Sequence, residues 1–292
     1  MKLGRALLIM MFWSFMVKGF GHTPPLKSID IQDYANEDYS LFFDSLSKVF
    51  EIYDKNDVLR YIDDLKAQGK KHNDLAWVLE TEMMEVRYFN DRRYTSMQES
   101  IKGLEKILKK TENTNFHKVR ARALYLIFRR QWYLGDYENA FQSLQELEQL
   151  LEKIPAESFE LMAIYLYRIG EAFYSFHDYN KANDVFRRVE NIRVNAFNSH
   201  AIMEALNTSG LIYQDNMQLD SADHYFYKVL LIAKNFDRTL WKAIAFGNLG
   251  KSAYLTGNYD KAMPWLKYDY TVALDYGDYG LAAGSGTILA DI

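Results

Sequence analysis

Phe246-Gly-Asn-Leu-Gly-Lys-Ser-Ala-Tyr-Leu-Thr-Gly-Asn-Tyr-Asp-Lys-Ala262 reads as the end of one helix, a tight turn and the start of a second helix. Leu249 and Gly250 sit in the first helix, and Tyr254 follows one turn after Gly250. Gly257 can take the left-handed backbone that ends a helix, and Asn258 is a good N-cap for the next. Ala262 is small enough to let the two helices close. The same pattern recurs at Ile169-Gly170, Phe173, His177-Asp178-Tyr179 and Ala182, and again at Ser209-Gly210, Tyr213, Met217 and Ala222. Gly170, Gly210 and Gly250 stand forty residues apart. A fixed period of this size signals stacked supersecondary units.

The rest of the composition agrees with a helical array. Of 292 residues, 49% are hydrophobic, 15% are aromatic and only four are proline, which excludes a disordered chain and suits helices. Residues 1–21 carry Lys2, Arg5 and Lys18 and no acid; without them, 32 basic side chains face 39 acidic ones. A mildly acidic body does not fit nucleic-acid binding. The chain has no cysteine, which excludes disulfides, thiolate chemistry and Cys-ligated zinc.

Met1–Gly21 reads as a secretory signal peptide. Lys2 and Arg5 form the charged start, Ala6–Val17 the apolar run, and Gly19-Phe20-Gly21 the cleavage site. No later segment is apolar for the roughly 20 residues a membrane span needs. Residues 22–37, with Pro24-Pro25, form a polar linker.

Residues 38–115 are expected to form divergent helical repeats. Leu41, Phe42, Leu46, Val49 and Phe50 share one face of a first helix, and Val58, Leu59, Ile62 and Leu65 share one face of a second that Gly69 should end. Glu85 stands where the next unit should carry a small residue. Residues 116–276 form the main array. Its earliest unit shows Leu124, Ile127, Gly135-Asp136-Tyr137 and Ala140, with Phe128 at the small position. The three following units have expected first helices over Ala163–Phe176, Met203–Asn216 and Ala243–Thr256, with longer second helices to fill the period. Residues 277–292 read as the first helix of a further, truncated repeat, which suggests the N-terminal part of a longer protein.

These residues resemble the tetratricopeptide repeat (TPR) family, over about Arg120–Tyr276, with departures at Glu85, Phe128, His177 and Met217. The secretory leader and tyrosine-rich long repeats are similar in style to the N-terminal sensor parts of Gram-negative envelope TPR regulators. The resemblance implies an all-α, right-handed superhelical solenoid of antiparallel helix pairs, with a concave face lined by first helices. Its groove positions fall on Arg122, Tyr125, Arg129 and Trp132, then Tyr167, Glu171 and Tyr174, then Asn207, Gln214 and Asp215, and then Lys251 and Tyr254. An aromatic face of mixed charge suits an extended or helical peptide. The same residues could instead only solvate an inner face, with tyrosines packing between units. The family's lysine-and-asparagine clamp for a C-terminal carboxylate is missing.

No catalytic constellation, cofactor motif or metal motif stands out. His200 and Glu204, or Asp220 and His224, could share a metal face, but no third ligand is in register. Gly284-Ser285-Gly286 lacks the strand that a phosphate loop or nucleophile elbow requires. Asn207-Thr208-Ser209 is a glycosylation sequon inside a helix. The expected function is therefore non-enzymatic: a protein- or peptide-binding module exported to the periplasm or secreted, the sensor part of a longer regulator. A stand-alone scaffold of an envelope complex, or the non-catalytic part of an enzyme whose active domain lies further on, are the alternatives.

Overall fold

A computed structural model describes residues 30–34 and 39–292. The signal peptide expected over 1–21, and the linker expected over 22–37 apart from 30–34, lie outside the described residues. Those residues form thirteen α-helices, three short 3-10 turns and no strand. They divide into two compact units, one running to Glu160 and one spanning Leu161–Ile292.

The first unit contains α1 (Tyr39–Val49), α2 (Lys55–Lys71), α3 (Leu75–Asp91), α4 (Met97–Lys110), α5 (His117–Tyr133) and α6 (Tyr137–Leu151). Its N-terminal core gathers Phe42, Phe43, Phe50, Ile62 and Leu65 around Trp77, which is fully buried. Phe42 stacks on Trp77 at 5.3 Å between centroids, and the indole N–H donates to the Leu65 carbonyl at 2.9 Å. A second core joins Leu79 and Met83 of α3 to Leu104 and Ile107 of α4 and to Val119, Ala123 and Ile127 of α5. Gly69 does not end α2. It lies inside the helix, where an added Cβ would meet Val78 at 2.7 Å and Trp77 at 2.8 Å, and Asn73 takes the left-handed turn instead. Glu85 is accommodated because it does not sit at the contact: it pairs with Lys66 at 2.7 Å. The close approach of α3 and α4 is made by Val86 against Gly103, so the small residue has moved to the second helix.

The second unit contains α7 (Met162–Ser175), α8 (Tyr179–Glu190), α9 (Ser199–Asp215), α10 (Leu219–Asn235), α11 (Thr239–Leu255), α12 (Tyr259–Asp275) and α13 (Tyr279–Asp291). The second helices are not the longer ones. From α9 onward, both helices of a pair have 17 residues and three-residue turns join them, which accounts for the forty-residue period. The first helices start up to four residues earlier than their apolar pattern suggests. Each three-residue turn closes in one way, shown by that after α11: Asn258 N–H returns to the Ala253 carbonyl at 2.9 Å, and Gly257 N–H to that of Tyr254 at 2.9 Å. This is the Schellman closure, and it needs a left-handed residue in the middle. Gly135 and Gly257 supply it at φ +74°; His177 and Met217 adopt the same conformation at +61° and +58° rather than altering the turn.

The helix pairs close over their glycines. The Phe186 ring sits where a Cβ on Gly170 would be, and Phe226 does the same over Gly210. At Gly250 the partner is Leu266, whose Cγ would lie 2.8 Å from an added Cβ. In all three pairs the partner follows the glycine by sixteen residues, so the repeat sets the knob as well as the hole. Pro264 lies inside α12, which continues through it. Among the described residues no helix is long and apolar enough to cross a membrane.

Candidate interaction face

In the first unit the expected groove positions all lie on α5, but they do not share one environment. Arg122 is 5% exposed. Its Nε donates to Glu80 Oε2 at 2.8 Å and its Nη1 to the Ser40 carbonyl at 3.0 Å, so it ties α5 to α3 and α1 inside the core. Tyr125 is buried. Arg129 is exposed, with its guanidinium over the rings of Tyr125 at 6.0 Å and Tyr133 at 5.6 Å. Trp132 is half-buried and packs edge-on against Tyr137 at 5.3 Å, across the turn. Beside them, Arg130 is buried, and that desolvation pulls its guanidinium down to about 10. A cavity of about 240 Å³ opens beside Glu80, lined also by residues that include Tyr39, Phe116 and Lys153.

In the second unit the expected positions come together along the first helices α7, α9 and α11, and most are engaged with the neighbouring first helix. Tyr167 is buried, and its hydroxyl donates to Glu171 at 3.0 Å and reaches Glu204 of α9 at 3.3 Å. Burial first, and then these two carboxylates, push its pKa up. Arg168 closes the other side of Glu171 at 2.7 Å. Glu204 also faces His200 at 3.5 Å, and His200 Nδ1 accepts from the Trp241 indole of α11 at 3.0 Å. A continuous polar chain thus runs from α7 to α11. Further along the helices, Asn248 donates to Asn207 at 2.7 Å, and Gln214, 1% exposed, donates to the Asn248 carbonyl and to Ser252 Oγ. Lys251 faces Asp215 at 3.9 Å. Tyr174 is half-buried, and its pKa is raised by burial and by Asp215. Tyr254 hydrogen-bonds Asp291 of α13, which raises its pKa.

In three units the aromatic at the end of the first helix has a companion that the expected groove positions left out. Tyr174 packs on Tyr179 at 5.5 Å and Tyr254 on Tyr259 at 5.8 Å, as Trp132 does on Tyr137. The companion always stands five residues later and opens the second helix. Tyr137, Tyr179 and Tyr259 are 47%, 38% and 49% exposed, so these pairs give each unit a partly open aromatic edge. Gln214 breaks the series by turning inward. Among the described residues, no three histidines or carboxylates come together as a metal site would require.

With this geometry in view, solved structures supply the fold. Two structures of a Podosopora anserina protein described as a kinesin light chain with nearly identical TPR-like repeats match at TM-scores of 0.52, with 14% and 15% identity. Each match covers 68% of this chain and 96% of the other. The fold is an all-α TPR-like repeat array. A structure of MamA aligns at 20% identity over 65% of this chain and 96% of its own, with a TM-score of 0.47. No protein-family model matches the chain, and no curated protein does.

Proposed function

We propose that this protein is a non-enzymatic protein- or peptide-binding module, exported to the periplasm as the sensor part of a longer regulator. The observation that carries the binding role is the face of α7, α9, α11 and α13. Successive first helices there align aromatic and charged side chains, with Tyr174, Asp215, Lys251 and Tyr254 partly open to solvent. The residues bonded between helices, Tyr167, Asn207 and Gln214, hold the first helices in register and stiffen the face before a partner arrives. That pre-organisation lowers the ordering cost of binding. The open aromatics then serve as anchors for a peptide backbone and its side chains.

The test is affinity capture from envelope extract followed by direct titration of the captured partner. Tyr174→Ala with Tyr254→Ala should weaken binding by roughly 1–2 kcal/mol per truncated anchor, while Tyr227→Ala, on the exposed side of α10, leaves it unchanged. Equal loss with all three variants, or none with the first two, removes the binding role from this face. A scaffold role would instead show as several partners retained together, indifferent to both substitutions.

A further inference from the structure

Asp269 of α12 breaks the repeat. The same place holds Val189 in α8 and Val229 in α10, both buried, and Asp269 itself is 1% exposed. Two other departures accompany it. Gly247 stands in α11 where earlier units carry Tyr167 and Asn207, and an added Cβ there would collide with Asp269 Oδ2. Ser285 stands in α13 where Ala205 and Ala245 occupy the earlier first helices, and its hydroxyl donates to the same Oδ2. The glycine makes room for the carboxyl group, and the serine gives it one donor. Oδ1 is buried and has no hydrogen-bond partner among the described residues.

The geometry points to a proton-gated joint: Asp269 fastens α13 onto α11 and α12 when protonated and loosens that contact when ionised. Protonated on Oδ2, the carboxyl donates to Ser285 Oγ across the same contact, which leaves only a neutral carbonyl oxygen at Oδ1 buried without a partner. A carboxylate in the same place has one donor for two oxygens, and only opening of the joint to water supplies the rest. The charged surroundings push the same way. Gly247 of α11 and Ser285 of α13 carry no charge, and the charged neighbour that acts on Asp269 is Asp278, in the turn before α13. Burial first, and Asp278 in addition, bring its pKa up to about 6 against the pull of Ser285.

The sign follows from linkage. A carboxyl whose docked pKa is raised favours docking fully below its ordinary pKa, loses that contribution as pH rises toward about 6, and adds nothing further above it. Hydrogen exchange of the α13 amides in the full chain, corrected for the intrinsic pH dependence of exchange, reads this directly. Protection should fall by up to about tenfold between pH 5 and pH 7.5. Asp269→Asn keeps the shape and the Ser285 contact and should abolish that fall. Asp269→Val, the residue of the sister repeats, should do the same and hold α13 closed at pH 7.5. Unchanged wild-type protection across this range, or an equal fall in Asp269→Asn, overturns the joint. The asparagine variant keeps the test decisive if the valine variant misfolds.

Discussion

Arg122 is an expected groove residue whose side chain turns into the core instead. The resemblance to TPR repeats implies that it lines a groove with Tyr125, Arg129 and Trp132, all on α5. Its actual partners are Glu80 and Ser40, 42 and 82 positions away, and both the arginine and Glu80 are almost wholly removed from water. No local pattern announces a partner so distant. A buried pair of this kind is costly to break and far less costly to remove together. Arg122→Met should therefore destabilise the chain by about 3 kcal/mol or more, whereas Arg122→Met with Glu80→Met should recover most of that loss. Urea midpoints of the two variants decide it. A single substitution that leaves the midpoint in place would return Arg122 to the surface.

At the scale of helices and turns, the glycine period was legible because close packing leaves no alternative. Where Phe186 and Phe226 cross α7 and α9, only the absence of a Cβ lets the ring in. The turns were legible as positions but not as residues. His177 and Met217 look like lost glycines, yet they hold the same left-handed backbone because the two return hydrogen bonds of the closure enforce it. The ties between first helices were the least visible, although they leave a trace. Tyr167–Glu204, Asp215–Lys251, Asn207–Asn248 and Tyr254–Asp291 all join residues 36 to 41 apart, one period give or take a turn. Polar residues of opposite kind at that spacing could have been sought. The glycine register makes a direct prediction: Gly250→Leu should drive a side chain into Leu266 and the Ala262 carbonyl and cost about 1–3 kcal/mol. Gly257→Ala, with open space around its Cβ position, tests the same array by backbone strain alone. An unshifted melting midpoint for Gly250→Leu would mean that α11 and α12 meet elsewhere.

At the scale of the whole molecule, a repeat period fixes architecture far better than it fixes purpose. Each unit buries its own seam, so the periodic apolar pattern is explained by packing and does not name a partner. The proposal of export rests instead on the first residues, where the pattern is of another kind. Lys2 and Arg5 precede an apolar run, Lys18 follows it, and Gly19 and Gly21 are the small residues just before the expected cleavage point; nothing in this stretch repeats the period of the array. A packed repeat helix would alternate polar and apolar faces, whereas Ala6–Val17 is apolar all round but for Ser14. Twelve such residues are too few for a span and suit the core of a signal peptide. Expression in a Gram-negative host with its own signal intact should therefore yield periplasmic protein whose N-terminus is His22 or a near neighbour. Intact mass of the fractionated protein reads this to the residue. Material that keeps Met1–Gly21 and stays with the cytoplasmic or membrane fraction would refute export as a free periplasmic domain, and the binding face would then have to be tested against partners in that compartment.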